Sequence, residues 1–217
     1  MSRKQQGFTL IEIAIVLLII GLLLGGVMKG QSMINSARVR SIANDLTGIE
    51  TAWISFQDRY RSLPGDFGTA ATHIAAGSAN GDANALVDSE AEAGAVWQHL
   101  SSAGFISGSF DGAAVASRAD TACAVATCPS NPFNGFYKIG YSLNATGRTA
   151  AAHELTTGGG IPVAVLYELD LKIDDGSPVT GRLRAFAGDE YGDCVAENEW
   201  NVVGEIGDCA GVLTLPL

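Results

Sequence analysis

The sequence predicts an α+β protein: a long N-terminal α-helix, half of it transmembrane, packed on a head built around an antiparallel β-sheet. Three observations carry this. An apolar run without a breaker extends from Phe8 to Met28. A stripe of large apolar residues at helical spacing follows it. Further along, short alternating runs flank a turn signal. The expected organisation is a leader at 1–7, a transmembrane helix at 8–28, an amphipathic helix at 29–63 and a globular head at 64–217.

The first element opens with a basic segment, Met1–Gln6, followed by Gly7. The 21 residues from Phe8 to Met28 are almost all apolar. At 1.5 Å rise per residue such a stretch crosses a hydrocarbon core of roughly 30 Å. The basic segment stays on the cytoplasmic side by the positive-inside rule, and the rest of the chain faces outward. One residue breaks the apolar pattern, Glu12. A carboxylate at the centre of a spanning helix costs roughly 2.5–3.5 kcal/mol, and less near an end. By default such a residue is functional. The small residue Gly7 precedes the apolar run, so a cut there leaves the run on the mature chain.

Beyond Met28 the pattern becomes amphipathic. Val39, Ile42, Leu46, Ile49, Trp53, Phe56, Tyr60 and Leu63 are spaced 3, 4, 3, 4, 3, 4 and 3 apart, a continuous helical stripe. Arg40, Asn44, Asp45, Thr47, Glu50, Gln57 and Asp58 occupy the other faces. Leu63-Pro64-Gly65-Asp66 is the first strong stop signal. The helix from Phe8 to Arg61 is expected to be about 80 Å long, with its stripe under the head.

In the head, residues 65–95 are mostly loop, rich in Ala, Gly, Asn and Asp. Glu90–Ala103 predicts a short helix with Val96, Trp97 and Leu100 on one side and Gly104 as its cap. His99 on that helix is expected to be a satisfied or surface histidine. Gly135–Leu143 alternates like a strand. Pro162–Ile173 and Val179–Ala187 predict two more strands around the hairpin signal Asp175-Gly176. A three- or four-stranded antiparallel sheet should lie with one face on the helix stripe. Each large side chain buried there contributes roughly 1.5–3 kcal/mol.

The chain has 217 residues and a net charge of −10, with 17% charged residues and 27 glycines. An acidic chain of this kind is a poor partner for nucleic acid. Cys123, Cys128, Cys194 and Cys209 all follow the anchor, and an exported chain with an even number of cysteines implies disulfides. Four cysteines allow three pairings. The favoured one, Cys123–Cys128 with Cys194–Cys209, closes two short loops. Zinc fits poorly: there is no C-x-x-C pair, and His73, His99 and His153 lie far from the cysteines in sequence. No Gly-rich phosphate loop, H-E-x-x-H or G-x-S-x-G is present, which argues against an enzyme.

Gly7-Phe8-Thr9-Leu10-Ile11-Glu12, after a basic leader and before an apolar run, resembles the type III signal of type IV prepilins and type II secretion pseudopilins. The likeness is specific over about 30 residues and extends through the helix to about Asp66. It implies the pilin fold, with a disulfide-closed C-terminal loop placed like the stretch bounded by Cys194 and Cys209. It also implies cleavage between Gly7 and Phe8 by a prepilin peptidase and N-methylation of Phe8. Glu12 falls at the fifth mature position, where the family's glutamate neutralises the N-terminal ammonium of a neighbouring subunit. Two opposite charges in an apolar filament core are each costly alone and tolerable when paired. Type IVa major pilins often carry a proline at the position of Lys29; this chain has none before Pro64 and carries Gly21, Gly25, Gly26 and Gly30 instead. Those glycines fit close helix approach, local melting or ordinary membrane-helix composition equally well.

The resemblance implies a structural subunit of a type IV pilus or pilus-like filament, self-assembling with related pilins through an inner-membrane assembly platform. The precursor would sit in the inner membrane, and the product would be an extracellular filament or a periplasmic pseudopilus. The alternatives are a secretion pseudopilin and a minor pilin acting as a binding or adhesion module. No cofactor is required, but calcium stays open at two acidic stretches. Asp82, Asn84, Asp88 and Glu90 offer oxygens at alternate positions, although Leu86 and a misplaced glycine rule out an EF-hand. Asp189, Glu190, Asp193, Glu197 and Glu199 lie in the C-terminal loop, where some secretion pseudopilins hold calcium. Solvated acidic loops are the default reading of both stretches.

Overall fold

The computed structural model describes residues 10–115, 123–188 and 191–216. By internal packing the chain forms two units, residues 1–38 and 39–217.

Helix α1 runs Leu10–Tyr60. In the first unit its residues are solvent-exposed almost throughout. In the second unit it buries Val39, Ile42, Ala43, Leu46, Ile49, Ala52, Trp53 and Phe56. The expected stripe is thus in place, widened by two alanines. Termination comes earlier than Pro64: Arg61 takes a left-handed φ of 55° while its N–H still bonds the Gln57 carbonyl. Leu63 is buried just past the helix end.

A one-turn helix α2, Ala70–His73, interrupts the loop that follows. Helix α3, Glu90–Ser102, begins with a full capping box. The Ser89 side chain accepts from the Glu92 N–H, and the Glu92 carboxylate accepts from the Ser89 N–H. Such a cap contributes about 1 kcal/mol. Gly104, at φ 82°, follows the last turn as expected.

The sheet has four antiparallel strands in the order β1 (Lys138–Ser142), β2 (Ala152–Thr156), β6 (Gly211–Thr214), β3 (Leu183–Ala185). Leu155 opposes both Ile139 and Leu213, and Leu183 also opposes Leu213, which sets one apolar row across all four strands. This row joins the α1 stripe in a single core. Trp53 packs against His153 of β2 at 5.5 Å between ring centroids, and its indole N–H donates to the Pro216 carbonyl at 3.0 Å. A small hairpin, β4 (Val195–Ala196) and β5 (Glu199–Trp200), lies within the C-terminal loop.

Two expected strands need correction. Pro162–Ile173 is not a strand: Val163–Ile173 forms helix α4, with Pro162 at its N-cap. It buries Val163, Val165, Leu166, Leu169 and Asp170, while Tyr167, Leu171 and Ile173 stay exposed. Every odd position of this stretch is apolar, so a strand pattern is present as well. The helix forms because Pro162 pre-sets its entry and the sheet positions go to β2 and β6. Of Val179–Ala187 only Leu183–Ala185 is strand. Asp175-Gly176 therefore turns from a helix into β3 and does not close a hairpin, although Gly176 keeps a positive φ of 80°.

Candidate functional site

The first unit offers one surface, the exposed helix. Leu10, Leu22 and Met28 are each more than 70% exposed, and no residue of its most apolar stretch is buried. It is long and apolar enough to cross a membrane. A Cβ added at Gly21, Gly25, Gly26 or Gly30 would meet nothing within 4 Å, so the chain's own packing requires none of them. The α-helix passes through all four without a break. Glu12 stands in the first turn, where the positive end of the helix dipole favours a carboxylate. Gly7 and Phe8, the expected cleavage and methylation positions, lie outside the described residues.

In the second unit the cysteines are joined as Cys123–Cys128 and Cys194–Cys209. The second bond closes the loop that holds β4 and β5. An antiparallel bridge between Ile161 and Cys209 anchors its base, and the Asp208 carboxylate accepts from the Gly160 N–H at 2.7 Å. Val203 projects from this loop, 91% exposed. Asp189 and Glu190 lie outside the described residues. Among the described residues, Asp193, Glu197 and Glu199 join no group of three metal-type ligands.

The first acidic stretch is arranged differently from its sequence order. Asp82 comes together with Asp66 and Glu92, and Asn84 links it to Asp88. Asn84 turns its amide nitrogen, not its oxygen, toward Asp82 and Asp88. The buried carboxylates here are already occupied by backbone N–H groups. Asp66 accepts from Asn84 and Ala85, and Glu92 accepts from Asp82, Asp88 and Ser89. Their evident work is to fold the loop onto α3. Burial and the nearby Glu92 charge raise the Asp66 pKa against those bonds.

His99 is buried and fully partnered. Nδ1 accepts from the Gly65 N–H at 2.9 Å, which makes Nε2–H the donor to the Ala79 carbonyl at 2.6 Å. Burial holds its pKa below the ordinary value. Beside the α1 stripe, the Tyr137 hydroxyl donates to Asp45 at 3.0 Å. Burial raises both groups, and the Asp45 charge raises Tyr137 further.

One cluster escapes sequence reading. Asp170, Asp174 and Asp175, at the C-terminal end of α4, bring one carboxylate oxygen each to within 4.8 Å of one another. The i, i+4, i+5 spacing is visible once the stretch is taken as helix. Burial, with help from the charges of Asp175 and Asp174, raises the Asp170 pKa to about 6, against bonds from the Trp200 and Gly176 N–H groups.

Comparison with known families finds a match at residues 2–28 to the prokaryotic N-terminal methylation motif. Comparisons with curated proteins and with solved structures give no significant match.

Proposed function

From a chain that carries the type IV prepilin and pseudopilin signal at residues 2–28, we propose a structural subunit of a type IV pilus or pilus-like filament. The signal implies processing by prepilin peptidase, membrane anchoring as a precursor and assembly with other pilins. The family it marks is structural. Its members work by packing helices, not by catalysis.

The observation that carries the reading is the exposed, unbroken apolar helix with Glu12 at its start. A soluble chain cannot leave such a surface in water. It belongs in lipid before assembly and against like helices afterwards. In this reading the peptidase cuts between Gly7 and Phe8, and Phe8 is methylated. Glu12 then meets the new ammonium of a neighbouring subunit in the filament core. The open positions at Gly21, Gly25, Gly26 and Gly30 let neighbouring helices approach closely.

Sheared surface filaments, imaged by electron microscopy and identified by intact mass, test this. The expected main protein begins at Phe8 and carries one added methyl group. A main protein that retains Met1–Gly7 rejects the processing step. Absence of this chain from the filaments, or a trace amount only, moves it to the pseudopilin or minor-pilin class.

A further inference from the structure

Beside the buried stripe of α1 the head carries a cleft of about 320 Å³. Separate parts of the chain line it: one turn of α1, the turn after α3, the residues that follow the Cys123–Cys128 disulfide, and Tyr137 just before β1. Ile49, Phe105, Ile106 and Pro129 give it apolar walls. Asp45 and Tyr137 line it as well and supply a carboxylate and a phenol.

The walls are held by bonds of their own. The Phe105 and Ile106 N–H groups both donate to the Leu100 carbonyl, and the Phe105 ring packs edge-on against Phe56 at 6.1 Å between centroids. The Pro129 carbonyl accepts from the Tyr137 N–H at 2.9 Å. A cleft already formed in this way costs a ligand little in ordering.

Its carboxylate is held in place but not neutralised. Asp45 is half-buried, and Tyr137 is 1% exposed. Among the described residues, the Asp45 carboxylate has one hydrogen-bond donor, the Tyr137 hydroxyl on Oδ2. A carboxylate offers about four lone-pair sites, so most of its capacity stays open to water or a ligand. No Lys or Arg lines the cleft, and none of the ion pairs among the described residues includes Asp45. Burial works against the Asp45 charge, and the Tyr137 bond works for it. A cation in the cleft restores what burial takes away.

A second observation is independent of charge. Gly48, close to one helical turn beyond Asp45, lines the same cleft. Glycine weakens a helix interior relative to alanine. A Cβ at Gly48 would meet nothing within 4 Å, so the head's own packing does not call for glycine there. The missing side chain leaves that side of the cleft clear.

We propose that this cleft binds a small apolar organic cation, a primary amine whose ammonium meets Asp45 and whose body lies against Ile49, Phe105, Ile106 and Pro129. Apolar walls with a few polar groups are the usual make-up of a small-ligand pocket, and this volume, at the lower end of their range, suits one ring with a short chain. The carboxylate repels anions and favours a cation over a neutral molecule of the same shape. The net charge of −10 draws cations toward the chain. Nothing in this site depends on filament assembly, so the unassembled chain suffices for its test.

The probe is 2-phenylethylamine, titrated into the full chain in detergent micelles and followed by calorimetry. Its dissociation constant is expected on the order of 10⁻⁴–10⁻³ M for a ligand of that size. 2-Phenylethanol, which has the same shape without the charge, should bind about tenfold more weakly or less. Asp45→Asn keeps an acceptor for Tyr137 and should lose about tenfold in affinity for the amine, in the same micelles and so with the same partitioning background. Gly48→Leu fills the clear side; it should weaken binding by a similar factor and leave the thermal midpoint unchanged or higher. Three results overturn the proposal: no saturable heat up to about 10 mM amine, an alcohol that binds as tightly as the amine, or an affinity unchanged in either variant.

Discussion

Within helix α1, the stretch Leu10–Ile34 leaves its large apolar side chains in the open, whereas Val39–Phe56 buries every large apolar side chain of its stripe. The secondary structure is α-helix throughout. What differs is who finishes the packing. The later stretch is completed by the chain's own sheet and loops. The earlier one is completed by something outside the chain, first lipid and then, in our proposal, other copies. Helix propensity therefore says little about which stretch stabilises the fold.

Substitutions that treat the two stretches alike should have opposite readouts. The largest effect is expected from Trp53→Ala, which empties a fully buried site and removes the bond to Pro216. A loss of about 3–5 kcal/mol follows, measured by urea unfolding of the head signal. Leu18→Ala, at a 70% exposed position, should leave that signal unchanged. Glycines sharpen the contrast. A Cβ at Gly94 of α3 would collide with the Ala113 carbonyl oxygen. Gly94→Ala should cost about 1–3 kcal/mol, while Gly25→Ala meets nothing and should leave head unfolding unaffected. Smaller again is Ser89→Ala, which removes the α3 cap for about 1 kcal/mol, read as a lower urea midpoint.

The smallest expected effect is a dependence on pH. Burial holds His99 and His153 below their ordinary value of 6.5. The unfolded chain then binds more protons than the folded one just below 6.5, so their contribution is complete above 6.5 and is lost as pH falls through the lower folded values. Asp170, raised to about 6, works the other way in the same window, so the test is a difference. The stability gap between the wild type and His99→Gln should be constant above about pH 7 and narrow toward about pH 5. A gap that does not change with pH would contradict the buried neutral histidine.

The stripe and the apolar run are legible in the sequence because a long period is repeated many times and only one structure satisfies it. The α3 cap has a local signature too, Ser89-x-x-Glu92. The sheet is harder. Strands β2 and β6 are short, and β2 carries His153 and Glu154, both buried. Glu154 is tolerable there because Ser142, Asn144 and Ala145 all donate to it, a long-range arrangement that no local pattern announces. Val163–Ile173 satisfies two periods at once, and tertiary competition chooses between them. The same ambiguity hides the Asp170 cluster, since taking the stretch as a strand puts Asp170 and Asp174 far apart. Among the oxygen-rich stretches, sequence order also misleads: Asp82 finds its neighbours in Asp66 and Glu92, which are distant in the chain or already on α3.

The central claim is that the exposed half of α1 is completed by other subunits through Glu12. The most direct measurement counts surface filaments from cells carrying Glu12→Ala, with the thermal midpoint of the purified variant's head as the internal reference. The account predicts few or no filaments and an unchanged midpoint. Filaments in normal number from a stably produced Glu12→Ala chain would contradict it.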